Sequence, residues 1–444
     1  MAGEWESASL SELCEQIADC PHSTPLWTDS GVIVLRNQNI RDGRLDLSSP
    51  SYTDELNFEQ RSRRARLKAG DLVLTREAPM GEVCMVPENL RCCLGQRMVM
   101  LRPDPKKCDS RFLLYSIQSD VVQHEIKVNE GTGSTVSNLR IPLLEALPIP
   151  LPPLAEQKAI AGVLGALDDK IELNRRMNAT LESMARALFQ SWFVDFDPVR
   201  AKLDGRQPVG MDEETAALFP DSFEQSPIGP IPVGWKVERL DSHISADRGL
   251  SYKGEGLCDD HTGMPMHNLN SIFEGGGYKH QGIKYYKGEY REKHIVDPGD
   301  MIVTNTEQGF DHLLIGHAAV VPRCFGLKGI YSHHIYRVRF MPSSPFNPHY
   351  LVELFNNRRW HYWISGFSNG TTINMLPIDA LEMPLLVVPP KDLVMQFTAI
   401  ARSAHDQIED NLQQSRTLAT LRDTLLPKLL SGELSLALDK NRMF

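Results

Sequence analysis

The sequence predicts an α+β protein: two homologous mixed α/β domains joined by long antiparallel coiled-coil helices in a pseudo-twofold arrangement. Three observations carry this. The chain repeats itself, its Gly- and Pro-punctuated parts hold apolar runs of strand length, and each part gives way to a long helical seam. At a spacing of 237, Ile171 matches Ile408, Asn174 matches Asn411, Leu181 matches Leu418 and Leu188 matches Leu425. That spacing also aligns Gly133-Ser134-Thr135 with Gly370-Thr371-Thr372 and Pro152-Pro153 with Pro389-Pro390. Nearer the start the offset is close to 230, pairing Trp5 and Leu10 with Trp235 and Leu240, and Gly70-Asp71 with Gly299-Asp300.

Taken in order, residues 1–153 form the first globular domain. Its apolar runs 31 to 35, 71 to 75 and 98 to 101 read as short strands, and 110 to 126 as helix. Residues 154–197 form the first spacer helix, because the seam Ile171, Asn174, Leu181, Leu188 runs without proline until 198. From 155 to 193 a continuous helix is about 58 Å long. Residues 198–234 read as a linker with one helical turn near 213 to 219. Residues 235–390 are the second domain, with strands at 300 to 304, 318 to 321 and 335 to 338. Residues 391–444 are the second spacer helix, carrying Ile408, Asn411, Leu418 and Leu425, with a tail; Pro427 should kink or end it. A single seam on so long a helix requires a partner, and each copy supplies the other's. Asn174 and Asn411 either fix register in that seam or lie on a solvated flank.

Composition bounds the function. Hydrophobic residues make 41% and charged residues 23%, with 31 glycines and 29 prolines, as in a folded chain. A net charge of −10 argues against a free-standing electrostatic coat for nucleic acid, though not against local basic patches. No run of 18 uninterrupted apolar residues occurs, and Glu4 and Glu6 stand where a signal peptide would be basic, so a soluble cytoplasmic protein without membrane contact is expected. Eight cysteines form no CxxC pair, which argues against structural zinc and for buried free thiols. There is no GxGxxG after a strand, no GxxxxGK[ST], HExxH or GxSxG, and so no catalytic residue or bound cofactor is assigned. His333-His334 and His261 with His267 suggest a metal, but paired histidines in a strand would point to opposite faces, and no metal site is assigned.

Recognition of nucleic acid is locally legible. Arg61, Arg63, Arg64, Arg66 and Lys68 crowd one short run, and Lys279, Lys284, Lys287, Arg291 and Lys293 alternate with Tyr278, Tyr285, Tyr286 and Tyr290. Such stretches suit phosphate contacts, which position without reading sequence, or else form solvated faces. Arg36, Asn37, Gln38 and Asn39, with His267, Asn268 and Asn270 in the second copy, are candidate base readers, since Arg pairs with guanine and Asn or Gln with adenine. The alternative for each is a turn residue capping its own backbone. Stretches 40 to 68 and 271 to 298 barely match, while the seam matches closely: a shared scaffold with private reading faces.

Over essentially its whole length the sequence resembles the specificity (S) subunits of type I restriction-modification systems. The motifs are Gly70-Asp71-Leu72-Val73-Leu74-Thr75-Arg76 with Gly299-Asp300-Met301-Ile302-Val303-Thr304, Leu151-Pro152-Pro153-Leu154-Ala155-Glu156-Gln157, 191 to 199 (SWFVDFDPV), Ile231-Pro232-Val233-Gly234-Trp235 and Leu429-Leu430-Ser431-Gly432-Glu433-Leu434. The resemblance implies a non-catalytic subunit with two target-recognition domains, each reading half of a bipartite asymmetric DNA target. Two methylation (M) subunits dock on the helical spacer, and restriction (R) subunits complete the complex. It further implies adenine methylation with S-adenosylmethionine held by the M subunits, and ATP and magnesium held by the R subunits. Arg76, which closes the Gly-Asp motif, joins the DNA-binding candidates. The second copy departs from the pattern with Met395-Gln396 in place of Glu156-Gln157 and with Gly316 further from its motif than Gly81. The competing readings are a structural or protein-interaction module built on a helical hairpin, which explains the seam but not the divergent polar strands, and a DNA methyltransferase or nuclease acting alone, which would need a cofactor or metal constellation.

Overall fold

After the Gly70 turn every side chain from Asp71 to Arg76 is buried, the mark of a strand covered on both faces. In the computed structural model, which describes residues 5–128, 138–259, 262–309, 311–370 and 373–436, this strand lies inside a four-stranded antiparallel sheet. The order is Cys14–Asp19, Met98–Pro103, Leu72–Thr75, Val83–Met85. Period-two alternation divides its side chains between two cores. Leu72, Leu74, Val99 and Leu101 pack against Phe112, Leu113 and Ile117 of the helix Ser110–Gln118. Val73, Met98 and Met100 pack on the other side with Leu35, Cys84 and Cys92. There a second sheet runs Ser51–Thr53, Val32–Leu35, Cys92–Leu94, the last pair parallel. The helix expected over 110 to 126 is two: Ser119, with extended backbone, separates Ser110–Gln118 from Asp120–Val128. Asp109 caps the first by accepting from Arg111 and Phe112 N–H groups, each at 3.0 Å. The matched segments Gly133-Ser134-Thr135 and Thr371-Thr372, and His261, lie outside the described residues.

The chain forms two units, residues 1–173 with 415–444, and residues 174–414. The first contains the sheets above together with the start of the long helix Leu154–Phe189 and the end of the long helix Lys391–Leu430. Ile160 and Leu164 share a core with Leu429 and Leu430. At its edge Asp168 accepts hydrogen bonds from Arg422 at 2.7 Å and Tyr115 at 2.7 Å, and Arg111 grips Asp169 through both terminal nitrogens at 3.0 and 2.6 Å. Pro427 sits inside the last turns of its helix, which runs three residues further and stops at Leu430 before Gly432 takes a left-handed φ of 74°.

The second unit repeats the plan. Its four-stranded antiparallel sheet is ordered Ile244–Arg248, Ile335–Phe340, Met301–Thr304, Ala318–Val320, and in the neighbouring sheet Met264–His267 runs parallel to Gly329–Tyr331. The first long helix closes in one π-helical turn, Gln190–Val194. Phe189, Trp192 and Phe193 are buried with Trp235, Tyr350 and Phe397, with Phe193 and Phe397 crossing edge-on at 5.4 Å. Phe196 in the left-handed region (φ 56°) ends that turn, and Asp197-Pro198 starts the helix Asp197–Leu203. The stretch read as a linker is therefore folded. The helical turn expected near 213 to 219 is the helix Glu213–Ala217; the stretch also forms a hairpin of Phe223–Ser226 with Gly229–Pro232, and it buries Val199, Phe219 and Ile231.

Within this unit the seam asparagines are buried, at 0% exposure for Asn174 and 4% for Asn411, which excludes the solvated-flank reading. Asn174 Nδ2 donates to the Asn411 carbonyl at 3.2 Å and to Gln414 Oε1 at 2.9 Å, while Asn411 Nδ2 donates to Asn178 Oδ1 at 2.8 Å. Earlier residues on one helix meet later ones on the other, so the pair is antiparallel. Asn174→Ala removes both of these bonds and opens a gap beside the buried Asn411, while Gln414, which is exposed, can turn to water. The expected loss is about 1–3 kcal/mol, read as a lower urea midpoint at unchanged slope. Among the described residues no helix is long and apolar enough to cross a membrane.

Candidate nucleic-acid interface

The Gly-Asp motif is structural in both units. Gly70 (φ 85°) and Gly299 (φ 92°) take the left-handed turn that glycine tolerates. Asp71 accepts from the Lys68 N–H at 2.8 Å and from Arg102 through Nε at 2.8 Å and Nη2 at 2.7 Å. Asp300 repeats this with the Asp297 N–H at 2.7 Å and Arg337 at 2.8 Å. Each aspartate thus ties the turn to the neighbouring strand of its sheet.

Polar groups collect where these strands end. In the first unit Arg76 donates to the Leu139 carbonyl at 2.8 Å, to Asp19 at 2.8 Å and to Asn138 at 3.2 Å. Asn138 donates onward to Glu77 at 2.8 Å, and Arg97 Nε meets Glu77 at 3.1 Å. Asn37 donates to the carbonyls of Glu77 and Ala78. In the second unit the same strand ends bring together Asn305, Thr306, His333 and His334, with Lys284 Nζ 3.4 Å from the Tyr252 hydroxyl and Arg248 Nη2 3.4 Å from the Tyr336 hydroxyl. The backbone links correspond. Arg76 N–H reaches the Arg97 carbonyl at 2.8 Å and Asn305 N–H the His334 carbonyl at 3.1 Å; Leu139 N–H reaches Arg76 O and Leu376 N–H reaches Asn305 O.

The sequence candidates separate by exposure. Arg36 and Gln38 are exposed, Arg36 standing over the Trp27 ring at 5.2 Å, whereas Asn39 is buried and spends its amide on the Asp46 carbonyl at 2.9 Å. Of the basic run, Arg63, Arg64 and Arg66 are exposed, Arg66 beside Glu59. Arg61 is buried at 5% and donates to the carbonyls of Leu94, Ser23 and Pro21. Arg76 is likewise enclosed at 9%. In the second unit Asn270 and Lys287 are exposed, and Lys279 and Lys284 half-buried. Asn268 is buried, donating to the Gly282 carbonyl at 2.8 Å and accepting from Asn270 N–H at 2.9 Å, a turn cap. Burial pushes the His267 imidazole down to about 3, so it stays neutral beside the Tyr278 hydroxyl at 2.7 Å. Along the long helices Ile171, Asn174 and Asn411 are buried, while Leu181, Leu188, Ile408, Leu418 and Leu425 are half-buried.

His333 and His334 lie in a turn, not a strand, and their rings stand 3.8 Å apart; the opposite-face argument does not apply to them. Among the described residues no group of three or more His, Cys, Asp or Glu is placed to hold a metal. Burial pushes the Cys84, Cys92 and Cys108 thiols up to about 12, which leaves them protonated and unreactive. Glu77, Arg97, Tyr252, His333 and His334 were not singled out as readers in the sequence. The repeat held a signal for two of them, since the spacing of 237 that aligns the seam also sets Arg97 against His334.

A family model described as the type I restriction modification DNA specificity domain matches residues 2–183. The chain is 26% identical over 377 residues to the type I restriction enzyme MjaIX specificity subunit of Methanocaldococcus jannaschii, covering 82% of this chain and 78% of that protein. It is 22% identical over 417 residues to the HindI specificity subunit of Haemophilus influenzae, covering 83% and 87%. It is 25% identical over 437 residues to the putative MjaX specificity subunit of M. jannaschii, covering 97% and 94%. Its fold is similar to the crystal structure of the type I restriction-modification S subunit from M. genitalium, with a TM-score of 0.57 and 15% identity over 96% of each chain.

Proposed function

Because this chain belongs to the specificity-subunit family of type I restriction-modification systems, we propose that it reads a bipartite, asymmetric DNA target and seats two methylation subunits on its long helices. Its role as a family member is DNA recognition without catalysis, by two recognition domains on a helical scaffold. In this reading residues 1–153 and 235–390 are the recognition domains, 154–197 and 391–444 are the spacer, and 198–234 connects them. S-adenosylmethionine is bound by the methylation subunits, ATP and magnesium by the restriction subunits, and the complex works in the cytoplasm. One observation carries the reading: the same polar strand end is built twice on the same sheet order, with different side chains at matched positions. A common frame with exchanged readers suits a target whose halves differ in sequence.

The test is a complex purified with its methylation subunits and probed for protected and methylated bases. Two short protected blocks with an indifferent gap are the expected result; a single block, or protection without sequence preference, would sink the proposal. Within that complex Arg63, Arg64 and Arg66 serve as phosphate contacts, and Arg61, enclosed by three carbonyls, does not. Changing those three to alanine should weaken binding to every sequence and flatten the salt dependence by up to about one unit per lost contact. A changed sequence preference at constant salt slope would instead make them readers.

A further inference from the structure

We propose that one turn, Gln96-Arg97 in the first recognition domain and His333-His334 in the second, discriminates bases in both domains, with Arg97 reading guanine in one half-site and His334 the matched position of the other. The inference rests on the reading that each domain recognises half of a DNA target, and it names the side chains that do so.

Both turns occupy the same place in the frame. Each precedes the strand next to the Gly-Asp strand, Met98–Pro103 or Ile335–Phe340, and each is held by a backbone hydrogen bond from the residue that follows the Gly-Asp strand. The side chains on this shared support differ completely in chemistry, an amide and a guanidinium against two imidazoles. That is what a reading position needs and a scaffold position does not.

Arg97 is arranged as a reader. Its side chain is 54% exposed, and Glu77, itself held by Asn138, grips it through Nε alone. Both terminal nitrogens of the fork are left without a hydrogen-bond partner among the described residues, as a bidentate contact to guanine O6 and N7 requires. The backbone supplies a second, independent sign. Arg97 (φ 66°) and Ala78 (φ 45°), next to Glu77, both sit in the left-handed region that non-glycine residues leave unless their surroundings impose it. In the second domain the Thr306 hydroxyl holds His334 Nδ1 at 2.9 Å, which leaves Nε2 as the atom free to face a base. The Arg61 and Arg76 guanidiniums, by contrast, are consumed by carbonyls and by Asp19.

The experiment uses the complex with its methylation subunits and a set of duplexes carrying each single base-pair change across the protected sequence. Arg97→Gly removes the side chain while suiting the left-handed backbone, so it is not expected to unfold the turn. Discrimination against the wrong base should fall about tenfold to a hundredfold at one position of one half-site. The other half and the salt slope should not change. Arg97→Lys, which keeps the charge and loses the fork, should show the same loss. His334→Ala should relax one position of the opposite half. If Arg97→Gly instead lowers affinity equally for all duplexes and reduces the salt slope by about one, Arg97 is a phosphate contact and the proposal fails. It fails too if every duplex binds as before. A wild-type complex with no bipartite preference would overturn the underlying reading itself, a result distinct from either of these.

Discussion

Replacing residues 235–390 with the corresponding domain of a relative of different specificity should rewrite one half of the recognised sequence and leave the other half and the gap unchanged. Specific binding typically exceeds non-specific binding by a factor of about 10³ or more, so the loss at the old site and the gain at the new one should both be large. The structure explains why such a graft is practicable. Lys236–Arg239 pairs antiparallel with Leu385–Val388, so the domain leaves and re-enters the chain on two adjacent strands, and both junctions fall at one place. Ser7–Ser9 and Pro148–Pro150 close the first domain in the same way. One constraint follows from the packing. Tyr350 and Leu386 share a core with Phe189, Phe193 and Phe397 outside the exchanged segment. The graft must therefore keep apolar residues of similar volume there, since core swaps that conserve volume are tolerated best. Sequencing of methylated positions in a host carrying the chimera reads the outcome. A gap that changes, or two altered halves, would mean that the domains do not read independently.

What the sequence made legible was whatever has a period or a repeat. The seam asparagines, the two Gly-Asp turns and the Pro-Pro closures appear as matched positions, and the sheet strands appear as apolar runs between turn residues. Side-chain direction within a basic run was not legible. Arg61 and Arg63 are two residues apart in one cluster of like charge, yet Arg61 closes the helix Glu55–Arg61 with its guanidinium among three carbonyls while Arg63 points to water. Composition cannot separate them, because the difference lies in which loop carbonyls the fold brings past the helix end. The stretch 198 to 234 misleads for a related reason. Its prolines and glycines signal a linker, but Val199, Phe219 and Ile231 are spaced for no single periodic element, and only the surrounding aromatic core shows that they are buried. The strand-end cluster was hidden because its members, Asn37, Glu77, Arg97 and Asn138, are distant in sequence and meet only through sheet order.

Asp71→Ala should lower the stability of the first domain by about 3–5 kcal/mol, because it leaves a largely buried guanidinium without its counter-charge. The Asp71 side chain is 3% exposed and that of Arg102 19%, and their bidentate bond replaces much of the hydration each gave up on folding. Against a typical domain stability of about 5–15 kcal/mol, such a loss can unfold the first domain outright at moderate temperature. The matched double variant, Asp71→Ala with Arg102→Met, removes the stranded charge as well and should recover a good part of the loss, since a methionine can fill the space along the strand without needing a partner. The turn N–H of Lys68 stays unpaired in both variants, so recovery should be incomplete. Urea unfolding of the two single variants and the double variant closes the cycle. Additive costs would mean that Asp71 and Arg102 act separately and that the Gly-Asp motif is kept for another reason. A coupling of several kcal/mol, with the salt dependence of DNA binding unchanged in the double variant, would place the motif in the frame of the domain and leave the reading of DNA to the side chains at its strand ends.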